Sequence, residues 1–381
     1  MNAKLLAVGL LAGLGVAACG GDDNNDTPSK AIKSVEFTET PVPATADEMA
    51  RAYTKSTVKL TYSNGQVEEK PLAFHTLFSV KDPIAEVNGK KHPAGQLYNY
   101  KMEPLLDPMG NPLVAETPDA NSLLNIEGKL FLVTHYEYDW ILSDGSTAWS
   151  KPGWYTRSPM SMTLSSITQA SDGKLSAAKV RPIDFSGVNG LWIPCFGSQT
   201  PWNTHLGSEE DYDLIYNPLD SKNYSTTTAG LKALREQYFK GEREANPYHY
   251  GLIPEVTVKA DGSTSVVKHY AMSRGTWEMA KLMPDGRTAG DDGAHVQMTM
   301  FVADKYGDLS AGTVYTAKWN QTSDQNGGSA NLTWIKLGHG SNAEIKALAD
   351  KLTFNDIFSA VAPANGQCPA GYQRVRAGST A

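Results

Sequence analysis

Short runs of β-branched and aromatic residues, separated by turn residues, dominate this sequence from about residue 58 onward. Residues 58–62 (VKLTY) are followed by the turn 63–65 (SNG), and residues 256–259 are joined through 261–262 (DG) to 265–270 (SVVKHY). Both pairs predict β-hairpins with tight turns. Because such strands recur with turn signals between them, the sequence predicts an all-β sandwich, barrel or propeller. Further strands are predicted over residues 130–138, 298–303, 313–319 and 330–337.

Helical periodicity is scarce and confined to a few short segments. Residues 228–240 carry apolar side chains at helical spacing, which predicts a helix. Residues 47–53 and 342–352 are shorter candidates, and Asn342 is the predicted cap of the second of these. Residues 85–125 are rich in proline and predict a loop. The few short helices therefore accompany a fold that consists mainly of strands.

The N-terminus predicts export and attachment to a membrane by lipid. Lys4 precedes an apolar stretch, residues 5–16, which is too short to cross a bilayer and indicates a secretory signal. The tetrapeptide 16–19 ends in Cys19 and resembles a bacterial lipobox, in which the cysteine becomes the lipidated first residue of the mature protein. We therefore expect a bacterial cell-envelope protein anchored through Cys19. An ordinary cleaved signal with an incidental cysteine is the alternative.

The predicted organisation is a signal peptide over 1–18, a lipidated tether over 19–30 and one β domain over 31–381. No later stretch approaches 18 uninterrupted apolar residues, so no transmembrane helix is predicted. Lysine and arginine number 34 against 41 aspartates and glutamates, which gives a net charge of −7. This balance argues against binding to nucleic acid, because such surfaces must neutralise phosphates.

Two cysteines remain beyond the lipidation site, Cys195 and Cys368. A disulfide between them is one interpretation in an oxidising compartment. Alternatively, Cys195 is a metal-binding thiolate, because a Thr-Pro-Trp turn leads from it to Glu209 and Glu210, and thiolates with carboxylates suit transition metals. Adjacent residues on a strand face opposite ways, so at most one of these glutamates faces a given site. An exposed acidic pair without a ligand is the competing interpretation.

Three further positions are candidates for chemistry. Glu137 lies in the apolar segment 130–138, where a buried carboxylate is costly unless it is paired or metal-bound. Glu278 follows Arg274 by four positions and comes directly after Trp277, at the end of a predicted strand. Asp292 stands in an Asp-Asp-Gly sequence, which is typical of a turn and also offers oxygen ligands for calcium. Solvent-facing glutamates and an ordinary turn are the alternatives.

Together these clusters resemble the PhoX-type alkaline phosphatases, a family of secreted bacterial enzymes. The family's motif of Cys, Gly, Thr-Pro-Trp and Glu-Glu is similar to Cys195, 200–202 and 209–210, with the same internal spacing. Its Asn-His-Glu strand resembles 134–137, and its Gly-Arg-aromatic-His-Glu segment resembles 274–278. The resemblance runs from about residue 125 to the C-terminus. Residues 304–319 and 334–338 are also similar to the family.

The resemblance implies a six-bladed β-propeller whose iron and calcium ions hydrolyse small phosphorylated substrates, since hard cations offset charge on phosphate oxygens. It implies that Cys195 is an iron ligand. It also implies catalytic roles for Glu278 and for Arg274, whose guanidinium suits a phosphate; a structural ion pair is the alternative for Arg274. The implied metal ligands are Cys195, Glu210, Glu209, Glu278, Glu137 and Asp292.

The sequence departs from the family beside two of the implied ligands. Trp277 stands where the family has histidine, and Tyr136 separates His135 from Glu137. By the resemblance, the C-terminal part of the family's propeller is missing from this chain. The alternative function is therefore a noncatalytic or degenerate propeller lipoprotein that acts as a binding module at the cell surface.

Overall fold

A computed structural model describes residues 30–138, 141–155, 157–210, 229–293, 297–359 and 361–372. At positions 149, 291–293, 297, 354 and 355 it describes the backbone alone. The predicted signal, lipobox and tether up to residue 29, including Cys19, lie outside these residues. The fold is mostly β, with several antiparallel sheets and few helices, which confirms the predicted class. The chain divides into two compact units at Thr76 and Leu77.

The first unit contains a three-stranded antiparallel sheet in the order β1-β2-β3. The predicted hairpin is confirmed, and its turn contains Gly65 with a φ of 84°, a conformation that glycine adopts without steric cost. Helix α1 begins after Thr45, which forms a capping box with Glu48. The elements are β1 (Ile32–Phe37), α1 (Ala46–Met49), β2 (Thr57–Tyr62) and β3 (Val67–Pro71).

The second unit begins with a six-stranded sheet in the order β5-β4-β9-β8-β7-β6. Strands β6 to β9 follow one another as an antiparallel meander, and β4 pairs with β9 in parallel. The predicted loop over 85–125 is wrong at both ends, where β4, β5 and β6 lie. The strands are β4 (Ala85–Val87), β5 (Lys90–His92), β6 (Pro118–Ile126), β7 (Lys129–Tyr136), β8 (Met162–Gln169) and β9 (Leu175–Pro182).

Two more antiparallel meanders follow, and their sheet order is their chain order. The second meander contains β10 (Pro194–Gln199), β11 (His205–Glu209), β12 (Pro254–Val258) and β13 (Thr264–Lys268). The third contains β14 (Trp277–Leu282), β15 (Thr288–Gly293), β16 (Gln297–Lys305), β17 (Asp308–Ser323) and β18 (Ser329–Ser341). All strands predicted after residue 250 are confirmed.

Few helices accompany the sheets. The predicted helix over 228–240 is observed as α2 and a π-helical segment, Leu234–Tyr238. Ser341, not Asn342, caps α3, because its side chain and that of Glu344 form a capping box. Among the described residues, no helix is long and apolar enough to span a membrane. The helices of this unit are α2 (Ala229–Ala233), α3 (Asn342–Ala349) and α4 (Phe354–Ile357), with 3-10 turns at Ala148–Ser150, Ser186–Val188, Pro247–His249 and Tyr270–Met272.

Apolar side chains join consecutive meanders into cores. Phe131, Val133 and Leu164 of the first meander are buried in one cluster with Val256 and Val258 of the second. In a separate cluster, Leu206 of the second meander is buried with Trp277, Phe301 and other residues of the third. Burial of such side chains contributes about 1.5–3 kcal/mol each. Strand β10 contacts both β6 and β14, so the first strands of the three meanders are neighbours.

Candidate metal centre

The first strands of the three meanders carry polar ligand groups at equivalent positions. Asp119 is the second residue of β6, Cys195 the second of β10 and Glu278 the second of β14. Because β10 contacts both β6 and β14, these side chains are brought to one end of three neighbouring strands. The fold therefore gathers residues that are far apart in the chain.

Two more carboxylates come from the ends of the second strands. Glu137 directly follows β7, and Glu210 directly follows β11. Potential ligand atoms of Cys195, Glu210 and Glu278 lie within 4.8 Å of one another, and so do those of Asp119, Glu137 and Cys195. We call these five residues the acidic–thiol cluster. Cys195 belongs to both groups, and four of the five members are predicted ligands that the structure brings together.

Irregular pairing aims these side chains. The β6–β7 register shifts between Pro118 and Ala120, at Asp119, and the β14–β15 register shifts between Trp277 and Met279, at Glu278. In the β10–β11 pair the shift follows Cys195, where Phe196 has a φ of 23°. β-Bulges re-aim side chains and are frequent beside functional sites. Each of the three first strands thus departs from regular pairing at or next to its ligand group.

The cluster concentrates acidic groups around a buried thiol. The Cys195 thiol is buried and donates a hydrogen bond to Glu278 Oε1 at 3.8 Å. Burial, together with the negative charge of Glu137 and Glu210, raises the pKa of Cys195. Burial also raises the pKa of Glu137, and Asp119 and Glu278 contribute further repulsion. A bound cation would relieve this repulsion and favour the ionised donors.

Glu209 has a different environment from Glu210, although both are buried. Its Oε1 accepts hydrogen bonds from Lys268 Nζ at 2.8 Å and from the backbone N–H of Trp192 at 2.9 Å. Its Oε2 accepts from the backbone N–H of Leu252 at 3.2 Å. The expectation that one glutamate of the pair faces a given site agrees with this arrangement. These contacts favour a structural role for Glu209 over the metal-ligand role that the resemblance implies.

The remaining predicted site residues have other surroundings. Arg274 donates from Nε to the backbone carbonyls of Pro247 and Tyr250, at 3.1 and 3.0 Å. Asp292 pairs with Met279 through the backbone of β15, and its side chain lies outside the described part of the structure. Cys195 is buried and Cys368 exposed, and both are free thiols, so the disulfide interpretation is wrong here.

Asp119 is the member of the cluster that the sequence analysis missed. Its neighbours form no acidic or cysteine-containing motif, and its own region was predicted to be a loop. A usable signal is the dipeptide that begins β6 and β10, since Pro118-Asp119 and Pro194-Cys195 both place a ligand group directly after proline. Proline is tolerated at the first residue of a strand, so this dipeptide marks a strand start.

No family model, curated protein or solved structure matches this chain. The likeness to PhoX-type phosphatases therefore depends on the motif residues that carry it.

Proposed function

We propose that this protein is a metal-dependent hydrolase of phosphate esters, whose metal centre is the acidic–thiol cluster. The observation that carries the proposal is the convergence of Cys195, Glu210 and Glu278, with donor atoms within 4.8 Å of one another. These three residues come from two different meanders, and each was a candidate ligand from the sequence motifs. Neither a surface acidic pair nor a turn accounts for a thiol buried among carboxylates.

The chemistry of the donors fits the metals that the resemblance implies. A thiolate with carboxylates suits iron, and Cys195, Glu210 and Glu278 would hold it. Calcium takes oxygen ligands, and Asp119 and Glu137 would supply carboxylates to such an ion. Bound cations of this kind supply Lewis-acid stabilisation of the negative charge on phosphoryl oxygens. The protein's part is to hold the donors in fixed positions at the ends of the strands.

Glu278 and Arg274 have different roles in the proposed reaction. Glu278 is exposed and belongs to the cluster, so it can meet a phosphorylated substrate from solvent. The contacts of Arg274 with backbone carbonyls support a role in fixing the Pro247–Tyr250 turn, rather than the phosphate-holding role that the resemblance implies. We therefore assign the main catalytic role to Glu278. Small phosphorylated substrates remain the proposed partners, because the net charge disfavours nucleic acid.

The proposed architecture is a β-propeller, of which the three meanders are consecutive blades. Support comes from the meanders' antiparallel strand order, their shared apolar clusters and the contacts among their first strands. Propeller blades are four-stranded sheets around a central channel, so neighbouring first strands would line that channel. The six-bladed form rests on the resemblance. The lipid anchor at Cys19 and the location in the bacterial envelope rest on the N-terminal sequence.

The test combines metal analysis with phosphatase activity of the purified mature chain. We expect bound iron and calcium, release of phosphate from p-nitrophenyl phosphate, and loss of that activity with a chelator. Cys195→Ser should lose iron, whereas Cys368→Ser, which changes an exposed free thiol, should retain it. Glu278→Gln should lower phosphate release by at least about 100-fold if it acts in the transition state. Glu86→Gln, on an exposed position of β4, is the matched control.

A folded protein that binds neither metal contradicts the proposal. A protein that binds metal through Cys195 but releases no phosphate supports the noncatalytic binding module instead. Activity that survives in Glu278→Gln with metal content unchanged removes Glu278 from the mechanism. These outcomes separate the metal centre from the reaction, because metal content is measured independently of turnover.

A further inference from the structure

Asp119 lies at one end of a buried chain of hydrogen-bonding side chains. His135 Nε2 lies 3.1 Å from Asp119 Oδ2, and His135 Nδ1 lies 3.3 Å from His205 Nε2. His205 Nδ1 lies 2.7 Å from Ser122 Oγ. Both imidazoles are completely buried, and Ser122 is nearly so. We call Ser122, His205 and His135 the histidine chain. The proposed metal centre uses none of its three members directly.

One direction of hydrogen bonding satisfies every member of this chain. An ionised Asp119 carboxylate only accepts, so His135 Nε2 must carry the hydrogen. A neutral His135 then accepts at Nδ1 from His205 Nε2–H. His205 in turn accepts at Nδ1 from the hydroxyl of Ser122. Burial without exposure to water disfavours a charged imidazolium in this place, so both rings are neutral and their tautomers are fixed by their neighbours.

Close packing against Gly197 holds the two imidazole rings in place. A Cβ atom at Gly197 would lie 2.6 Å from His205 Cε1, closer than real Cβ atoms come, and 3.2 Å from His135 Cε1, which is a tight contact. Gly197 follows Cys195 by two residues in β10. Strand β10 thus carries the thiol of the acidic–thiol cluster at Cys195, and at Gly197 it lacks a side chain, which leaves room for the two imidazoles. The histidine chain and the cluster are therefore linked through one irregular strand.

We propose that the histidine chain positions the Asp119 carboxylate for metal binding, with His135 and His205 both in the Nε2–H tautomer. The proposal rests on the metal centre of the proposed function. Hydrogen bonds from outer residues fix the orientation of metal-binding carboxylates, and their loss typically costs 10–100-fold in metal affinity. Asp119 sets the direction of hydrogen bonding, because its carboxylate only accepts, and the Ser122 hydroxyl supplies the donor at the far end.

The first test reads the tautomers directly. Nitrogen NMR of the full chain labelled with 15N-histidine, which has 8 histidines, distinguishes protonated from unprotonated ring nitrogens. Single His→Gln variants assign the signals. We expect His135 and His205 to be protonated at Nε2 and unprotonated at Nδ1 in the metal-free protein. A proton on Nδ1 of either ring means that the hydrogen bonds of the histidine chain run in the opposite direction, and it overturns the proposal.

The second test measures Kd for Ca²⁺, the ion to which Asp119 and Glu137 would supply carboxylates, and Kd for Co²⁺, whose absorption reports bonding to the Cys195 thiolate. His135→Leu should raise the Kd for Ca²⁺ by about 10–100-fold. His135→Gln, whose amide can still donate to Asp119, should recover most of the affinity. His249→Leu is the matched control, because His249 is also buried and also meets a carboxylate, that of Asp350 at 3.1 Å. It should leave Kd unchanged.

Urea unfolding of each variant shows whether it is folded at the temperature of the titration. A folded His135→Leu variant with the wild-type Kd overturns the positioning role. Failure of His135→Gln to recover affinity also overturns it, because the donated hydrogen bond would then not be the cause. A wild-type chain that binds no Ca²⁺ overturns the metal site itself. The two failures are thereby distinguished.

Discussion

Glu209 and Glu210 are adjacent and both buried, yet the structure predicts opposite consequences for their substitution. Glu209→Gln removes the negative charge that faces Lys268, and both side chains of this pair are fully buried. An uncompensated buried charge costs about 3–5 kcal/mol. This is a large part of the 5–15 kcal/mol that stabilises a typical domain. We expect Tm to fall by about 10 °C, while the affinity for Co²⁺ in the folded protein stays unchanged.

Glu210→Gln should have the reverse effect. Because Glu210 belongs to the acidic–thiol cluster, we expect Co²⁺ affinity to fall by at least about 100-fold. Changes to residues that only hydrogen-bond to a metal ligand already cost about 10–100-fold in affinity. Removal of one charge from a repulsive cluster should leave the metal-free protein as stable as the wild type, or slightly more stable. Urea unfolding and metal titration of both variants provide the two measurements.

Two controls test the reasoning about Glu209. The double variant Glu209→Gln/Lys268→Met removes both charges, so it should recover most of the lost stability. Asp47→Asn removes an exposed carboxylate from its ion pair with Arg51 and should cost less than about 0.5 kcal/mol. A structural role for Glu209 is refuted if Glu209→Gln is as stable as the wild type, or if it loses metal affinity while Glu210→Gln does not.

Three further predictions concern stability. Burial holds the pKa of His249 down at about 4, below the unfolded value of 6.5, so its contribution is complete above pH 6.5 and is lost as the pH falls towards 4. Between pH 6.5 and pH 4, the free energy of unfolding of His249→Gln should therefore fall by about 3 kcal/mol less than that of the wild type. Urea unfolding at each pH measures this difference. Ser341→Ala removes the cap of α3 and should cost about 1 kcal/mol in the same assay. Gly197→Ala should cost about 1–3 kcal/mol, because its Cβ would lie 2.8 Å from Ala120 Cβ, and an unchanged midpoint in urea contradicts that packing.

The strands could be predicted from the sequence where pairing is local. Hairpins such as β2–β3 and β12–β13 can be recognised in the sequence from alternating apolar and polar residues and an Asn-Gly or Asp-Gly turn. Strands β4 and β5 also flank an Asn-Gly turn, Asn88-Gly89, but the strands themselves are too short to show alternation. They have only three residues each, and β4 joins its sheet through a parallel pairing of Ala85 with Val180, far along the chain. Such long-range pairing overrides the proline-rich character of the segment.

The candidate site was predictable where ligands fall within a recognisable motif. Cys195 and Glu210 were found in this way, together with Glu278. The role of Glu209 could not be separated from that of Glu210, because its partner Lys268 is distant in sequence and meets it only through the sheet. Asp119 was missed for the same reason, because the contact of its strand with the neighbouring first strand brings it to the other ligands, and its adjacent residues do not indicate this. Tertiary contacts therefore decide the ligand set.

The positions of the ligands repeat with the meanders, which explains how so dispersed a set can converge. The first meander supplies Asp119 at the start of its first strand and Glu137 after its second, and the second supplies Cys195 and Glu210 at the same two places. These places adjoin in a hairpin, because the start of one strand pairs with the end of the next. Neighbouring first strands then bring successive hairpin ends together. A donor at either place thus reaches the cluster whatever its distance along the chain, and the third meander contributes through Glu278 on this same rule.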